Sequence, residues 1–394
     1  ATSCITLLSK LIEEENGQLQ YKIVAVLGKW NVPETLPLLE KAMKSSETYV
    51  RLAAEKFLQK RGIVSQKPQK RFSTILEMKD WHARAEAVLI LAESSEILME
   101  RENFLLQILS QDENLYVRVS AITALAKFPK SEPILSSLKI ALSDSSDLVR
   151  SAVIQTWGKM PISSEDVLSL FPSLLKDVSA SVRFSAVKLI GFLGVDTPEI
   201  RAILTQHILS DPECNVRQMA IKVLSCFLPP QEQIQQTLQK AFQDPRAEVR
   251  AIAILGFHKQ WTPEVDFLCI LKPFLEDENE QVRKATLLSL NEFKLSSKKM
   301  LEILDSFLEE ESDWNVQITA IEILASFSEP QEKIIERLYK TLMKDPEEEV
   351  KLEAIVALKK MGENFRIKPI LQKLVKSGNP VLRASAKKLL EDLS

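Results

Sequence analysis

The sequence predicts an all-α fold: an α-solenoid of about twelve helical hairpins stacked side by side. Three observations predict it. One short element recurs at intervals of 31 to 34 residues along the whole 394-residue chain. Within each interval the apolar residues fall at helical spacing. The composition also favours helices, with only 9 Gly and many Leu, Ala, Glu, Lys, Ser and Gln.

The recurring element is clearest at Asp112–Ala121, Asp177–Ala186, Asp211–Ala220 and Asp244–Ala253. An acid is followed five residues later by Val-Arg, and four residues after the Val by a small residue. With the Arg as marker, the copies stand at Gln20, Arg51, Arg84, Arg118, Arg150, Arg183, Arg217, Arg250, Arg283, Gln317, Lys351 and Arg383. Repetition of this kind overrides the two or three globular domains that such a length would otherwise suggest. The expectation is one continuous domain over residues 1–394, with a longer inter-repeat loop near 62–80.

Each interval reads as two helices. The second, helix B, buries the Val, the small residue at +4, a branched apolar residue at +5 and a large one at +8, as in Val117, Ala121, Ile122 and Leu125. Val153 and Thr286 are larger exceptions at +4. The first, helix A, is the amphipathic segment before each acid: Phe104–Ser110, Ile134–Leu142, Ile200–Leu209, Ile234–Phe242 and Ile334–Met343. Pro37 and Pro369 fall inside two such segments and are expected to kink them. Aromatics eleven residues after the Val (Trp30, Phe128, Phe227, Phe293, Phe327) are expected to seal the end of helix B.

The acid suits the turn between the helices and faces the positive end of helix B. An Arg in the first turn of helix B is electrostatically unfavourable without a partner. That partner is expected to be a recurrent acid of the same or the neighbouring repeat, giving a ladder of charges along the array. The least regular stretch, residues 62–80, carries Lys67, Lys70 and Arg71 around Pro68. It reads as a loop before a short helix A, either simply solvated or contacting an acidic partner.

The acid–five–Val–Arg pattern with its trailing Ala and Leu resembles HEAT repeats, in particular the short-loop, phycocyanobilin-lyase-like type, over essentially the whole chain. The resemblance implies a right-handed superhelix with helix B on the concave side. Departures stand at Gln20, Gln317 and Lys351, where the Arg is lost, and at Met78 and Ser377, where the acid is lost. The ladder is expected to be interrupted there.

Composition excludes several functions. A net charge of −3 and a pI of about 5.9 provide no global basic field for nucleic acid or anionic lipid. No apolar run is long enough to span a bilayer. Four scattered Cys without a CxxC pattern suggest reduced thiols and a cytoplasmic setting. The chain opens on Ala1-Thr2-Ser3 without Met or a leader pattern, so a processed or excised form is expected. Only 3 His occur (His82, His207, His258), none followed by Glu, whereas the HEAT-like metal hydroxylases use His-Glu pairs to hold iron. No zinc spacing, nucleotide-binding glycine motif or nucleophile elbow is present. No enzyme activity, metal, cofactor or small-molecule ligand is expected.

Charge is also patterned. The turns between helices A and B are acidic, most of all around residues 276–280, 309–313 and 345–349, and the opposite edge is richer in Lys. Helix dipoles account for this, and so does an acidic edge that docks a basic partner.

The most informative positions are +2 and +6 of helix B, which are too apolar for a fully solvated face. They hold Leu52, Leu89, Val119, Phe184, Leu255, Leu288, Ile318, Leu352 and Val356, interleaved with Lys56, Lys188, Lys222, Lys284 and Lys388. Either adjacent B helices bury them against each other, or they line a groove for an amphipathic helix or extended peptide, with Phe184 as the leading anchor. The functional expectation is a scaffold or adaptor binding a protein or peptide on this face. The resemblance also implies two alternatives, a tetrapyrrole (bilin) lyase or chaperone and a HEAT-like nucleic-acid binder. The near-neutral charge and the scattered Trp (Trp30, Trp81, Trp157, Trp261, Trp314) argue against the latter.

Overall fold

The computed structural model describes the chain apart from residues 1, 14–15, 31, 64–74, 76, 93–97, 161–163, 229–231, 262–265, 328–331, 345–346, 377–378 and 393–394. The described residues form helices, short 3-10 turns and connecting loops, with no strand. They group into two compact units, Ala1–Val195 and Asp196–Ser394.

The first unit holds α1 (Thr2–Leu11), α2 (Gly17–Lys29), α3 (Leu36–Ala42), α4 (Thr48–Lys60), α5 (Trp81–Leu91), α6 (Leu98–Gln111), α7 (Leu115–Leu125), α8 (Glu132–Ala141), α9 (Asp147–Trp157), α10 (Ser164–Leu174) and α11 (Ala180–Leu193). The second holds α12 (Pro198–Ser210), α13 (Cys214–Leu224), α14 (Glu232–Ala241), α15 (Ala247–Phe257), α16 (Phe267–Leu271), α17 (Glu280–Glu292), α18 (Ser297–Glu310), α19 (Trp314–Leu324), α20 (Glu332–Lys344), α21 (Glu348–Lys360), α22 (Asn364–Leu374) and α23 (Pro380–Glu391). The marker residues all fall on second helices: α2, α4, α5, α7, α9, α11, α13, α15, α17, α19, α21 and α23. Within each unit, successive B helices pack on one another and each described A helix packs on its own B helix. This is the architecture of an α-solenoid.

The helical period decides which side chains enter the core. Val117, Ala121, Ile122 and Leu125 are fully buried in α7, and Val350, Ala354, Ile355 and Leu358 in α21. The two larger residues at +4 are buried as well, and Thr286 satisfies its hydroxyl by donating to the Val282 carbonyl at 2.8 Å. Phe128 and Phe227 seal the ends of their B helices, whereas Trp30 is 37% exposed.

The charge ladder is present, and its direction is now defined. In six rungs the Arg reaches forward to the acid of the next repeat. In the first unit Arg84 Nε lies 3.0 Å from Asp112, Arg118 Nη2 2.8 Å from Asp144, and Arg150 Nη2 2.7 Å from Asp177. In the second, Arg217 Nε lies 2.7 Å from Asp244, Arg250 Nη2 2.7 Å from Asp277, and Arg283 Nε 2.6 Å from Glu311. All six pairs are two-pronged, with Nε and Nη2 each donating to one carboxylate oxygen.

The remaining donor, Nη1, turns back to its own repeat. Arg118 Nη1 donates to the carbonyls of Asp112 and Glu113 at 2.9 and 3.0 Å. The acid in turn accepts the backbone N–H two residues later, as Asp144 does from Ser146 and Asp177 from Ser179, both at 2.8 Å. The Arg thus neutralises its own helix start by binding loop carbonyls and an anion together. Burial alone would raise the Asp177 carboxyl; the hydrogen bonds from Arg150 and the Ser179 N–H outweigh it and hold that group below the usual carboxylate range.

The expected interruptions follow from the chemistry of the replacements. Gln317 keeps the backward bond, donating to the Glu311 carbonyl at 2.8 Å, while the next acid, Asp345, lies outside the described residues. Met78 stands where the next acid would be, and Arg51 Nη2 donates to Thr48 Oγ1 at 2.8 Å. Ser377, and most of the loop at 62–80 with Lys67, Lys70 and Arg71, lie outside the described residues.

At the opposite edge, side chains cap the ends of B helices from the following repeat. Arg61 donates to the Leu27 and Trp30 carbonyls at the end of α2, at 3.1 and 2.5 Å. The buried Gln260 amide does the same for Ser225 and Phe227 after α13, at 3.2 and 2.6 Å. One expectation is corrected here. Pro37 does not kink a helix; it occupies the first turn of α3, where no backbone N–H is needed. Pro369 does lie inside α22, and so does Pro172 in α10.

Candidate partner-binding site

The B-helix face at +2 and +6 is neither wholly buried nor wholly open. Leu52 packs into the core at 8% exposure, while Leu255 and Leu288 are 37% and 39% exposed. Leu89, Val119, Phe184, Ile318, Leu352 and Val356 are half-buried. Among the lysines, Lys188, Lys222 and Lys388 are exposed. Lys56 is half-buried, with its ammonium 5.6 Å from the Phe57 ring. Lys284, also half-buried, donates to Asn315 on the next B helix at 2.8 Å.

Two of these residues meet in one groove. Phe184 and Lys188 line a cleft of about 580 Å³ between α9 and α11, with Leu189, Phe192, Gly158 and Lys159. The helical repeat brings them together: Phe184 and Lys188 are one turn apart on α11, and Phe192 is one turn further. Phe192 is 73% exposed at the rim. Gly158 ends α9, where a Cβ would come within 3.1 Å of Leu189, so the glycine keeps the floor open. Val119 lines a different groove, among aromatic residues near the start of the B helices. The other positions named from the sequence do not gather around either cleft.

Sequence reasoning missed Phe192, which lies at +10, outside the periodic positions considered. An exposed aromatic one turn beyond Lys188 was the available signal. His82 is exposed and stacks on Trp81, with ring centroids 3.5 Å apart. His207 Nδ1 lies 3.0 Å from Asp211 Oδ2. Among the described residues no group of His, Cys, Asp and Glu is placed to hold a metal ion. No described helix is long and apolar enough to cross a membrane.

Paired helices, a repeated charge rung and a B-helix face with apolar clefts define a helical-repeat protein. A HEAT-repeat profile matches residues 5–92, 102–188, 167–258 and 301–391, and the chain belongs to that family. No curated protein sequence matches the chain. Among solved structures, Kap121p bound to Pho4p superposes with a TM-score of 0.59 at 15% identity, over 97% of this chain and 49% of that one. Kap121p bound to Nup53p gives 0.58 at 15% identity, over 97% and 48%. The karyopherin Kap121p bound to the SUMO protease Ulp1p gives 0.59 at 14% identity, over 98% and 49%. The chain spans about half the length of these structures, and at such identity the likeness is one of fold.

Proposed function

We propose that the chain is a non-enzymatic scaffold or adaptor that binds a protein or peptide segment on its B-helix face, with the Phe184 groove as its principal anchor site. The observation that carries this reading is the cleft itself: exposed aromatic and aliphatic surface flanked by two lysines, Lys159 and Lys188. Exposed apolar surface rimmed by polar groups marks protein interaction sites. The lysines select a segment with apolar anchors and acidic neighbours, and one aromatic in such a cleft supplies much of the binding energy. HEAT solenoids of similar fold are found with protein partners, as the Kap121p complexes are. A partner captured on the wild-type protein, purified and titrated, is expected to bind Phe184→Glu at least about tenfold more weakly. Equal affinity for Phe184→Glu and for Leu255→Glu would remove the B-helix face from the interaction.

A further inference from the structure

A second groove, in the first unit, carries a different chemistry. It encloses about 430 Å³ and is lined by Tyr21, Tyr49, Trp81, His82, Glu86 and Tyr116, among others. Its rings come from four successive B helices: Tyr21 from α2, Tyr49 from the start of α4, Trp81 and His82 from the start of α5, and Tyr116 from the start of α7. Trp81 stacks on His82 at 3.5 Å between centroids and on Tyr116 at 4.8 Å, with interplanar angles of 26° and 20°. The Tyr21 and Tyr49 rings meet at 6.0 Å. Tyr116 is 48% exposed, so the stack presents aromatic surface to solvent.

Carboxylates surround these rings. Glu86 lines the groove, and Asp80, which caps α5, leaves its side chain 61% exposed. The Tyr49 phenol is pushed up first by burial and then by the negative charges of Glu47, Asp80 and Glu86. Lys22 and His82 are the basic side chains among the lining residues, and His82 Nδ1 lies 3.4 Å from the Asp80 carboxylate.

We propose that this groove binds the guanidinium or ammonium side chains of a basic, extended segment of a partner protein. Aromatic faces attract cations through their quadrupole, and guanidinium, being weakly hydrated, stacks on them readily. The surrounding carboxylates add opposite charge. Spacing favours an extended segment. Neighbouring helices lie about 8–10 Å apart, and a polyproline-like chain repeats one side of itself about every 9 Å, at each third residue. A basic residue at every third position therefore meets successive B helices. The groove shares no lining residue with the Phe184 cleft and does not depend on it.

Fluorescence anisotropy with a labelled nine-residue peptide, arginine at every third position and glycine elsewhere, tests the proposal. Wild type is expected to bind it, and a citrulline peptide of the same length is expected not to bind. Tyr116→Ala and Glu86→Gln, with helicity checked by circular dichroism, are each expected to weaken binding about fivefold, and Phe184→Glu to leave it unchanged. Glu86→Gln is nearly isosteric, so it keeps the test decisive if Tyr116→Ala fails to fold. Absence of binding by wild type, equal binding of the citrulline peptide, or unchanged affinity in Tyr116→Ala and Glu86→Gln would overturn the proposal. Loss of binding in Phe184→Glu would place the peptide in the other cleft and overturn it too.

Discussion

At the scale of single residues, the recurring acid and Arg belong to the architecture. The Arg150 and Asp177 side chains are only 10% and 12% exposed, and they meet through two hydrogen bonds while Nη1 holds the Asp144 carbonyl at 2.8 Å. Removing one member strands the other in a place that water hardly reaches. Arg150→Met should therefore cost about 3 kcal/mol in urea unfolding, whereas Arg150→Met with Asp177→Leu should cost clearly less. Equal losses would mean that the pair is not coupled. The sequence showed both members of the rung and their recurrence. It left the partner open, because Asp144 and Asp177 are equally plausible by charge. Packing decides: the guanidinium spends one edge on its own loop carbonyls and the other on the next acid.

At the scale of the element, helix B was readable almost residue by residue, because its buried positions repeat with the helical period. Helix A was readable in its existence more than in its limits: α6 begins at Leu98, six residues before the expected start at Phe104. Proline shows why context matters. Pro37 and Pro369 sit at like offsets, yet one opens its helix and the other lies within it. Helix pairing also depends on small residues that the periodic pattern does not single out. A Cβ on Gly28 of α2 would come within 2.2 Å of the Phe57 ring of α4. The ring sits against the α2 backbone, so α2 and α4 would have to part. Gly28→Ala is expected to destabilise by about 1–3 kcal/mol in thermal unfolding despite its better helix propensity. The aromatic groove stayed hidden in the sequence for a related reason. Its rings stand at irregular offsets from Tyr21 to Tyr116, and only side-by-side stacking of the B helices gathers them.

At the scale of the whole molecule, a repeat array is held by contacts between neighbours, so its stability is local. The six rungs, the edge caps from Arg61 and Gln260 and the buried small residues all join one repeat to the next. The proposed binding chemistry lies instead where the copies differ, as in the Phe184 cleft, and one clear copy of the recurring element says nothing about it. The most direct test of local stability is native-state hydrogen exchange on Ala220→Glu, which forces a charge into a fully buried position of α13. Amide protection should fall in α12 to α15 and persist in α5 to α9. Unchanged protection in α12 to α15, or an equal fall throughout the chain, would contradict a fold held together neighbour by neighbour.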